Sequence, residues 1–144
     1  MANFIPLHIH SEYSLLDGMI RVGDLVKYAQ ENNLPAIAIT DHGVMYSAVE
    51  FYELAEHAGI NPLIGCEFYV NTGDIHVKDS ANNPLYHLIL IAKDNKGYKN
   101  LIKLVSTAWC EGFYYKPRIN FELLKEYHEG LICASACLGG EVLQ

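Results

Sequence analysis

The sequence predicts an α/β fold with a mostly parallel sheet, built as the first part of a β/α barrel. Short apolar runs of strand length alternate with segments that carry apolar residues at helical spacing. This β–α–β–α rhythm is typical of parallel strands joined by right-handed helical crossovers. A closed β/α barrel usually needs about 200 residues or more, whereas this chain has 144. We therefore expect residues 1–144 to be an incomplete barrel unit of a much longer protein.

Each element is predicted from its own local signals. Apolar runs indicate five strands, at 4–10, 36–40, 62–70, 86–92 and 130–136. Helical spacing indicates four helices, at 22–32, 45–57, 97–112 and 121–128. Leu34-Pro35 ends the first helix, and Gly59 is suited to cap the second. Residues 71–84 are typical of a loop or hairpin tip, and 139–144 are predicted to open a further helix.

Composition and charge narrow the class of protein. The chain is 51% hydrophobic and 19% charged, as in ordinary soluble globular domains. Its net charge of −7 argues against a surface that itself grips nucleic acid through phosphates. It is compatible with a site that gathers divalent cations, or with one domain of a larger protein whose basic parts lie elsewhere.

Membrane and secretory signals are missing from the sequence. No apolar run approaches the length that spans a bilayer, and the first residues lack the pattern of a signal peptide. The four cysteines form no C-x-x-C pair, so we expect free thiols in a reducing cytoplasm and no membrane partner. Three of them, Cys66, Cys110 and Cys133, are predicted to be core residues.

Two histidines one residue apart, His8 and His10, lie in the first predicted strand. Side chains at i and i+2 of a strand share a face, so both imidazoles can meet one cation or two adjacent ones. Two histidines alone are a weak motif, and a half-exposed strand with solvated histidines is the alternative. Asp17 precedes a glycine and, taken alone, is most simply a turn residue.

Further ligand-type side chains fall near the carboxyl ends of predicted strands. His42 follows the strand at 36–40, at the edge where α/β sheets bind ligands. Its neighbour Asp41 is expected to cap the next helix or to orient a histidine. Glu67 interrupts an apolar strand, where a carboxylate is costly unless it is paired or bound to metal. Cys137 follows the last strand, where a zinc ligand and a buried thiol are equally open.

His87 opens its strand instead of closing it, which at first contradicts this edge pattern. We predict that residues 71–85 turn the chain back as an antiparallel hairpin, so that His87 reaches the same edge as Glu67. The remaining histidines, His57, His76 and His128, lie near helix ends or in the loop and are expected at the surface.

These motifs resemble the polymerase and histidinol phosphatase (PHP) superfamily. The matching stretches are HIH (8–10), TDHG (40–43), the glutamate of GCEFYV and a later histidine. Longer stretches, including LHIHSEYSLLDG, HLILIAKDNKGYKNLIKLVS and EGFYYKPRI, are similar to the N-terminal domains of bacterial replicative polymerases, the DNA polymerase III α subunits. The resemblance implies a distorted β/α (TIM-like) barrel with a metal cluster at its C-terminal rim.

The resemblance also implies a set of site residues. It makes metal ligands of His8, His10, Asp17, His42, Glu67, His87 and Cys137. Glu67, His8 and His10 would carry the catalysis, which is hydrolysis of phosphate esters and, in some members, 3′–5′ exonuclease activity. Cys137 favours zinc among the divalent cations, with manganese, iron or magnesium as alternatives. The resemblance also implies a late D-x-H motif, and none occurs in the last third of this chain, so the cluster and the barrel are expected to be incomplete.

Three functions stay open at this point. The first is a phosphoesterase domain of a replicative polymerase, which would meet DNA, a sliding clamp and a proofreading subunit through the parent protein. The second is an inactive structural or subunit-docking module, and the third is a small-molecule phosphatase similar to histidinol phosphatase. An unpaired sheet edge is also expected to make this piece self-associate.

Overall fold

The computed structural model describes residues 4–81, 83–138 and 140. In chain order the elements are α1 (Val22–Glu31), β1 (Ala36–Ile39), α2 (Ala48–His57), β2 (Asn61–Asn71), β3 (Leu85–Ala92), α3 (Asn95–Cys110), β4 (Arg118–Asn120), α4 (Phe121–Tyr127) and β5 (Leu131–Ala134). None of the described helices combines the length and the apolar character needed to cross a membrane.

The strand β2 organises an open, mixed sheet. Its residues 61–64 pair in parallel with β1, and residues 69–71 pair in parallel with β4. Along its opposite edge, residues 65–71 form an antiparallel hairpin with β3, which in turn pairs antiparallel with β5. Four strands therefore run in one direction and β3 alone opposes them, so the predicted mostly parallel α/β fold is confirmed. The carboxyl ends of β1 and β2 and the beginning of β3 meet at one edge, which we call the rim.

Two apolar clusters hold this sheet. One packs α1 and α2 against β1, with Phe51 and Ile37 fully buried. The other packs α3 against β2, β3 and β4, with Leu101, Leu104 and Ile119 fully buried. At about 25 cal/mol per Å² of buried apolar surface, such clusters supply the main driving force for folding. The packed sheet is a rigid support that positions the polar residues of the rim.

The predicted strand at 4–10 is wrong. This segment runs beside β1 without forming a ladder, because Pro6 has no N–H and the N–H of Ile9 donates to the side-chain oxygen of Thr40, 2.9 Å away. Two backbone bonds remain, from Ala38 N to Pro6 O at 3.3 Å and from Thr40 N to Ile9 O at 2.8 Å. The segment still reaches the rim.

The other predicted elements agree with the structure within a few residues at each end. The helix predicted at 45–57 begins later, at Ala48. The strand β4 was not predicted, since three residues that include arginine and asparagine give no apolar run. The helix opening predicted at 139–144 falls outside the described residues, apart from Gly140.

Of the three cysteines predicted to lie in the core, one is buried and two are exposed. Cys66 is fully buried in β2, as expected. Cys110 and Cys133 are exposed, so their assignment to the core is wrong. Cys110 is the last residue of α3, and Cys133 lies on the edge strand β5, where Ile132 is also half exposed. Self-association through this edge stays a prediction.

Arg118 is a buried cation that fastens the hairpin loop to the sheet. Its Nε donates to Gly112 O at 2.8 Å, and its Nη1 and Nη2 donate to Val77 O at 3.0 Å and Ile75 O at 2.5 Å. We expect Arg118→Lys to lower the free energy of unfolding by about 2 kcal/mol, because one ammonium cannot reach three fixed carbonyls. Urea denaturation measures the change, and the exposed Arg21→Lys serves as control with less than about 0.5 kcal/mol. Equal effects of the two substitutions would contradict this role.

Candidate metal centre

A buried carboxylate, Glu67, stands at the centre of the rim. It is 1% exposed, and its Oε2 lies 2.5 Å from His8 Nε2 and 3.0 Å from His10 Nε2. Its Oε1 lies 2.5 Å from His87 Nδ1, and His42 Nδ1 lies 3.9 Å from Oε2. Four imidazoles from distant parts of the chain therefore surround one carboxylate. His87 reaches it through the β2–β3 hairpin, as predicted.

Asp17 extends this cluster on the side open to solvent. Its Oδ2 lies 2.5 Å from His42 Nε2, although the Asp17 side chain itself is 62% exposed. The ring of His42 stacks on that of His10, with centroids 4.0 Å apart and planes 11° apart. The acid and the two imidazoles thus form a second set of donors that is continuous with the first.

The described residues form three overlapping groups of metal donors. Within each group the donor atoms lie within 4.8 Å of one another. The groups are His8–His10–Glu67, His10–Asp17–His42 and His42–Glu67–His87. Donors that share an ion at about 2.1 Å stand about 3–4 Å apart, so only small movements separate these positions from ligation.

Several donor atoms lack the partner that a buried polar atom requires. Among the described residues, His10 Nδ1, His42 Nδ1 and Glu67 Oε1 are buried and have no hydrogen-bond partner. The short contact of His87 Nδ1 with Glu67 Oε1 is an ion-pair distance without the alignment of a hydrogen bond. Buried unpaired acceptors are rare in native proteins because they cost free energy. Unpaired atoms of this kind, gathered around one buried carboxylate, fit the binding of cations.

The electrostatics favour the metal-binding forms of Glu67 and His42. Burial alone raises the pKa of Glu67, but its close contacts with the imidazoles of His10, His87 and His8 outweigh the effect of burial and hold that pKa well below its usual range. The pKa of His42 is lowered, first by burial and then by the charge of His10. The pKa of His10 is raised, because its hydrogen bond and charge interaction with Glu67 overcome the effect of burial. At neutral pH an ionised Glu67 and a neutral His42 are both ready to ligate.

Comparison with known protein families identifies the domain. The family model for the PHP domain matches residues 6–144. This chain belongs to the PHP domain family.

Curated relatives of this PHP domain are DNA polymerase III α subunits. That of Borreliella burgdorferi is 50% identical over 141 residues, which are 96% of this chain and 12% of the relative. That of Aquifex aeolicus is 49% identical over 145 residues, again 96% of this chain and 12% of the relative. The chain therefore resembles the N-terminal region of these proteins and spans about an eighth of their length.

Two solved structures share the fold of this PHP domain. A candidate metal-dependent phosphoesterase from Bifidobacterium adolescentis superposes with a TM-score of 0.51 at 22% identity, covering 74% of this chain and 34% of the other. An amidohydrolase from Chromobacterium violaceum gives a TM-score of 0.52 at 24% identity, covering 74% and 33%. At this identity the likeness concerns the fold, which is that of a TIM-like barrel protein.

Cys137 lies beside the cluster of the PHP domain and not within its three donor groups. Cys137 is an exposed residue, and its Sγ is 3.5 Å from His87 Nδ1. The surface assignment of the other histidines is confirmed: the Nδ1 atoms of His57 and His128 lie 2.8 Å from Glu53 O and Lys125 O, on helix ends. His76 is exposed as well.

Asp41 has a role that sequence reasoning missed. It is 1% exposed and accepts hydrogen bonds from Ser11 N at 2.6 Å, Ser11 Oγ at 2.8 Å, Ser14 Oγ at 2.7 Å and Ser47 Oγ at 2.6 Å. In turn, His42 N donates to Ser14 Oγ at 3.1 Å. In these contacts Asp41 neither caps α2 directly nor orients an imidazole. It ties the loop that carries Asp17 to the backbone that carries His42.

Proposed function

We propose that this PHP domain is a metal-dependent phosphoesterase that removes nucleotides from the 3′ end of DNA. The observation that carries the proposal is the set of overlapping donor groups that share the buried carboxylate Glu67. The DNA substrate is supported by the relatives, which are DNA polymerase III α subunits. A single ion held for stability would need only one such group.

The donor set fits divalent cations of the first transition row. Imidazoles and carboxylates suit zinc, manganese and iron, and the nearby Cys137 favours zinc, with magnesium as a further alternative. His8, His10, Asp17, His42, Glu67 and His87 would hold the ions, with Cys137 as a neighbouring ligand. Bound there, such cations would supply Lewis acidity toward a phosphate and toward water.

The chain's own groups define the geometry of the reaction. Glu67 offers both oxygens to different imidazoles, so it can serve two adjacent cation sites at once. His8 and His10 approach one oxygen and His87 the other, which fixes where those sites lie. In the hydrolysis, the oxygen of a water would form a bond to phosphorus while the bond from phosphorus to the 3′ oxygen of the preceding nucleotide breaks. A proton from that water would go to the departing 3′ oxygen. The open side of the rim, at Asp17 and His42, is where the phosphate would enter.

We propose further that residues 1–144 are the N-terminal portion of a PHP domain within a bacterial DNA polymerase III α subunit. Identity of about 50% across 96% of the chain supports this context. The parent protein would be a DNA-directed DNA polymerase of the cytoplasm. Besides the DNA end that this domain would act on, the parent protein would contact DNA, a sliding clamp and a proofreading subunit through its other parts.

Metal dependence provides the direct test. The purified protein, stripped with a chelator and titrated with zinc, manganese or magnesium, should bind metal and regain hydrolysis of a 3′-labelled single-stranded oligonucleotide. His10→Ala should weaken metal binding by about a hundredfold or more, since His10 belongs to two donor groups. His57→Ala removes an exposed helix-end histidine outside the cluster and should change neither property.

Each contrary result points to a different function. Metal binding without hydrolysis of any phosphate ester would indicate the structural module. Hydrolysis of histidinol phosphate in preference to DNA would indicate the small-molecule phosphatase. No metal bound at any concentration would end the proposal altogether.

A further inference from the structure

A cleft of about 680 Å³ opens directly onto the metal cluster. Its floor includes Asp17, His42 and His87. Its walls are mostly aromatic and consist largely of Tyr13, Tyr46, Tyr69, Trp109, Phe113 and Tyr115. Clefts of this size accommodate ligands as large as a nucleotide. The catalytic proposal uses the floor and leaves these walls without a role.

One wall is rigid. The ring of Trp109 stacks on that of Phe113, with centroids 5.3 Å apart and planes 16° apart. The Trp109 Nε1 donates to Gly43 O at 2.8 Å, which anchors the indole to the loop that carries His42. Both rings remain about two-fifths exposed. A flat, fixed and accessible aromatic surface of this kind is a platform on which a base can stack.

Two bulky residues that line the cleft have a left-handed backbone conformation, which glycine adopts more easily. Tyr115, at the tip of a turn closed by Tyr114 and Lys116, has φ of 58° and is 78% exposed. Leu16, beside Asp17, has φ of 70° and is fully exposed. Left-handed conformations are genuine outliers for large side chains. Backbone strain of this kind concentrates at functional sites. The ring of Tyr115 is therefore a candidate for a contact with a ligand.

One lysine places positive charge between these walls and the cluster. Lys116 Nζ lies 5.1 Å from the centroid of the Tyr69 ring. That ring contacts the imidazoles of His42 and His87, with centroids 6.0 Å and 5.1 Å away. Among the described residues, the Lys116 ammonium forms no ion pair with a carboxylate, in contrast to Lys27 and Lys96. It is therefore available to a phosphate that approaches the rim.

We propose that this cleft holds the 3′-terminal nucleotide of single-stranded DNA, with its base stacked on the aromatic walls and its phosphate paired with Lys116. The inference deepens the proposed function and rests on it for the position of the bond to be cut. Charge complementarity selects the occupant: an ammonium held beside aromatic rings matches an anionic phosphate attached to a base. In a chain of net charge −7, a local cation of this kind is needed to admit DNA.

The chain carries its own reporter for this cleft, because Trp109 is its one tryptophan. Stacked bases quench indole fluorescence, so titration with a short oligothymidylate should quench Trp109 and yield a Kd. A chelator present throughout prevents hydrolysis, which makes the measurement independent of activity. An oligonucleotide of the same length and charge that lacks its bases should bind at least about fivefold more weakly.

Matched substitutions separate stacking from charge. Tyr115→Gly and Lys116→Gln should each raise the Kd about fivefold or more, while Tyr115→Phe keeps the ring and the affinity. Lys99→Gln removes an exposed lysine from the first turns of α3, outside the cleft, and should leave the Kd unchanged. Tyr115→Gly should also keep or raise the melting temperature, because glycine accepts a positive φ freely. Weaker binding in a protein that is no less stable excludes misfolding as the cause.

Several results would overturn the inference. These are no quenching by the oligothymidylate, equal affinity for the DNA without bases, or wild-type affinity in both cleft variants. A dimer that Tyr115→Gly dissociates, seen by sedimentation, would show that a second copy of the chain fills the cleft instead. The proposed function fails separately: binding with the expected pattern but no metal-dependent cleavage contradicts the phosphoesterase and leaves the nucleotide site intact. Metal-dependent cleavage that is unchanged in Tyr115→Gly and in Lys116→Gln contradicts only the proposed nucleotide site in the cleft.

Discussion

Glu67→Gln should reduce the hydrolysis rate about a thousandfold or more while the protein still folds. Glutamine has nearly the same shape as glutamate, so the packing of β2 and the burial of position 67 are kept. It brings an amide with no charge into a ring of three imidazoles that lie 2.5–3.0 Å from the carboxylate oxygens. A thousandfold loss corresponds to about 4 kcal/mol, within the range that metal-based charge stabilisation supplies.

The measurement is release of a 3′-labelled nucleotide at saturating metal, together with the metal content of the dialysed protein. Both should fall in Glu67→Gln. Glu53→Gln provides the control, since Glu53 is an exposed acid on α2 outside the cluster, and it should match the wild type in both. If the Glu67→Gln protein loses metal but keeps its hydrolysis rate, the hydrolysis takes place at a site other than the rim. One that keeps its metal and its rate would contradict the role of the carboxylate entirely.

The convergence of ligand-type side chains at the rim could be predicted, because the position of a residue at the end of a strand indicates the edge of the sheet where it lies. Parallel strands bring their carboxyl ends to one edge, and this rule alone is enough to place His42 and Glu67 together. His87 needed a second step, the antiparallel hairpin, and the structure confirms it through the pairing of Tyr69 with His87. The ligand role of these residues is a further matter, and it stays a prediction.

The supporting parts could not be predicted because their signals are local and weak. Ser11, Ser14 and Ser47 are ordinary hydroxyl residues until the fold brings them onto Asp41. The three residues of β4 form a strand only because the end of β2 offers them a partner. The segment 4–10 has the apolar pattern of a strand, yet Pro6 and a side-chain acceptor on Thr40 divert its hydrogen bonds. Sequence-pattern rules reflect the average environment of a residue type, whereas these features depend on contacts with specific residues that the fold brings together.

Asp41→Ala should lower the free energy of unfolding by about 3–5 kcal/mol, because several buried donors lose a shared acceptor and each buried donor left unpaired costs about 1–3 kcal/mol. Alanine leaves the N–H and hydroxyl of Ser11, and the hydroxyls of Ser14 and Ser47, without their acceptor. These donors are buried, so water cannot replace the carboxylate without opening the loop. Urea denaturation measures the loss. Asp24→Ala, at an exposed position in the first turn of α1, should cost less than about 1 kcal/mol.

Loss of Asp41 should also weaken the metal centre from a distance. Ser14 links Asp41 to the backbone N–H of His42 and belongs to the loop that ends at Asp17. Without that link, the 2.5 Å approach of Asp17 to His42 is no longer held, and the donor group of His10, Asp17 and His42 loosens. Ser14→Ala, which breaks the same link but leaves Asp41 three donors, should reproduce the weaker metal binding with a smaller loss of stability. If Ser14→Ala binds metal as the wild type does, the serine network supports the fold alone, and Asp17 is positioned by other contacts.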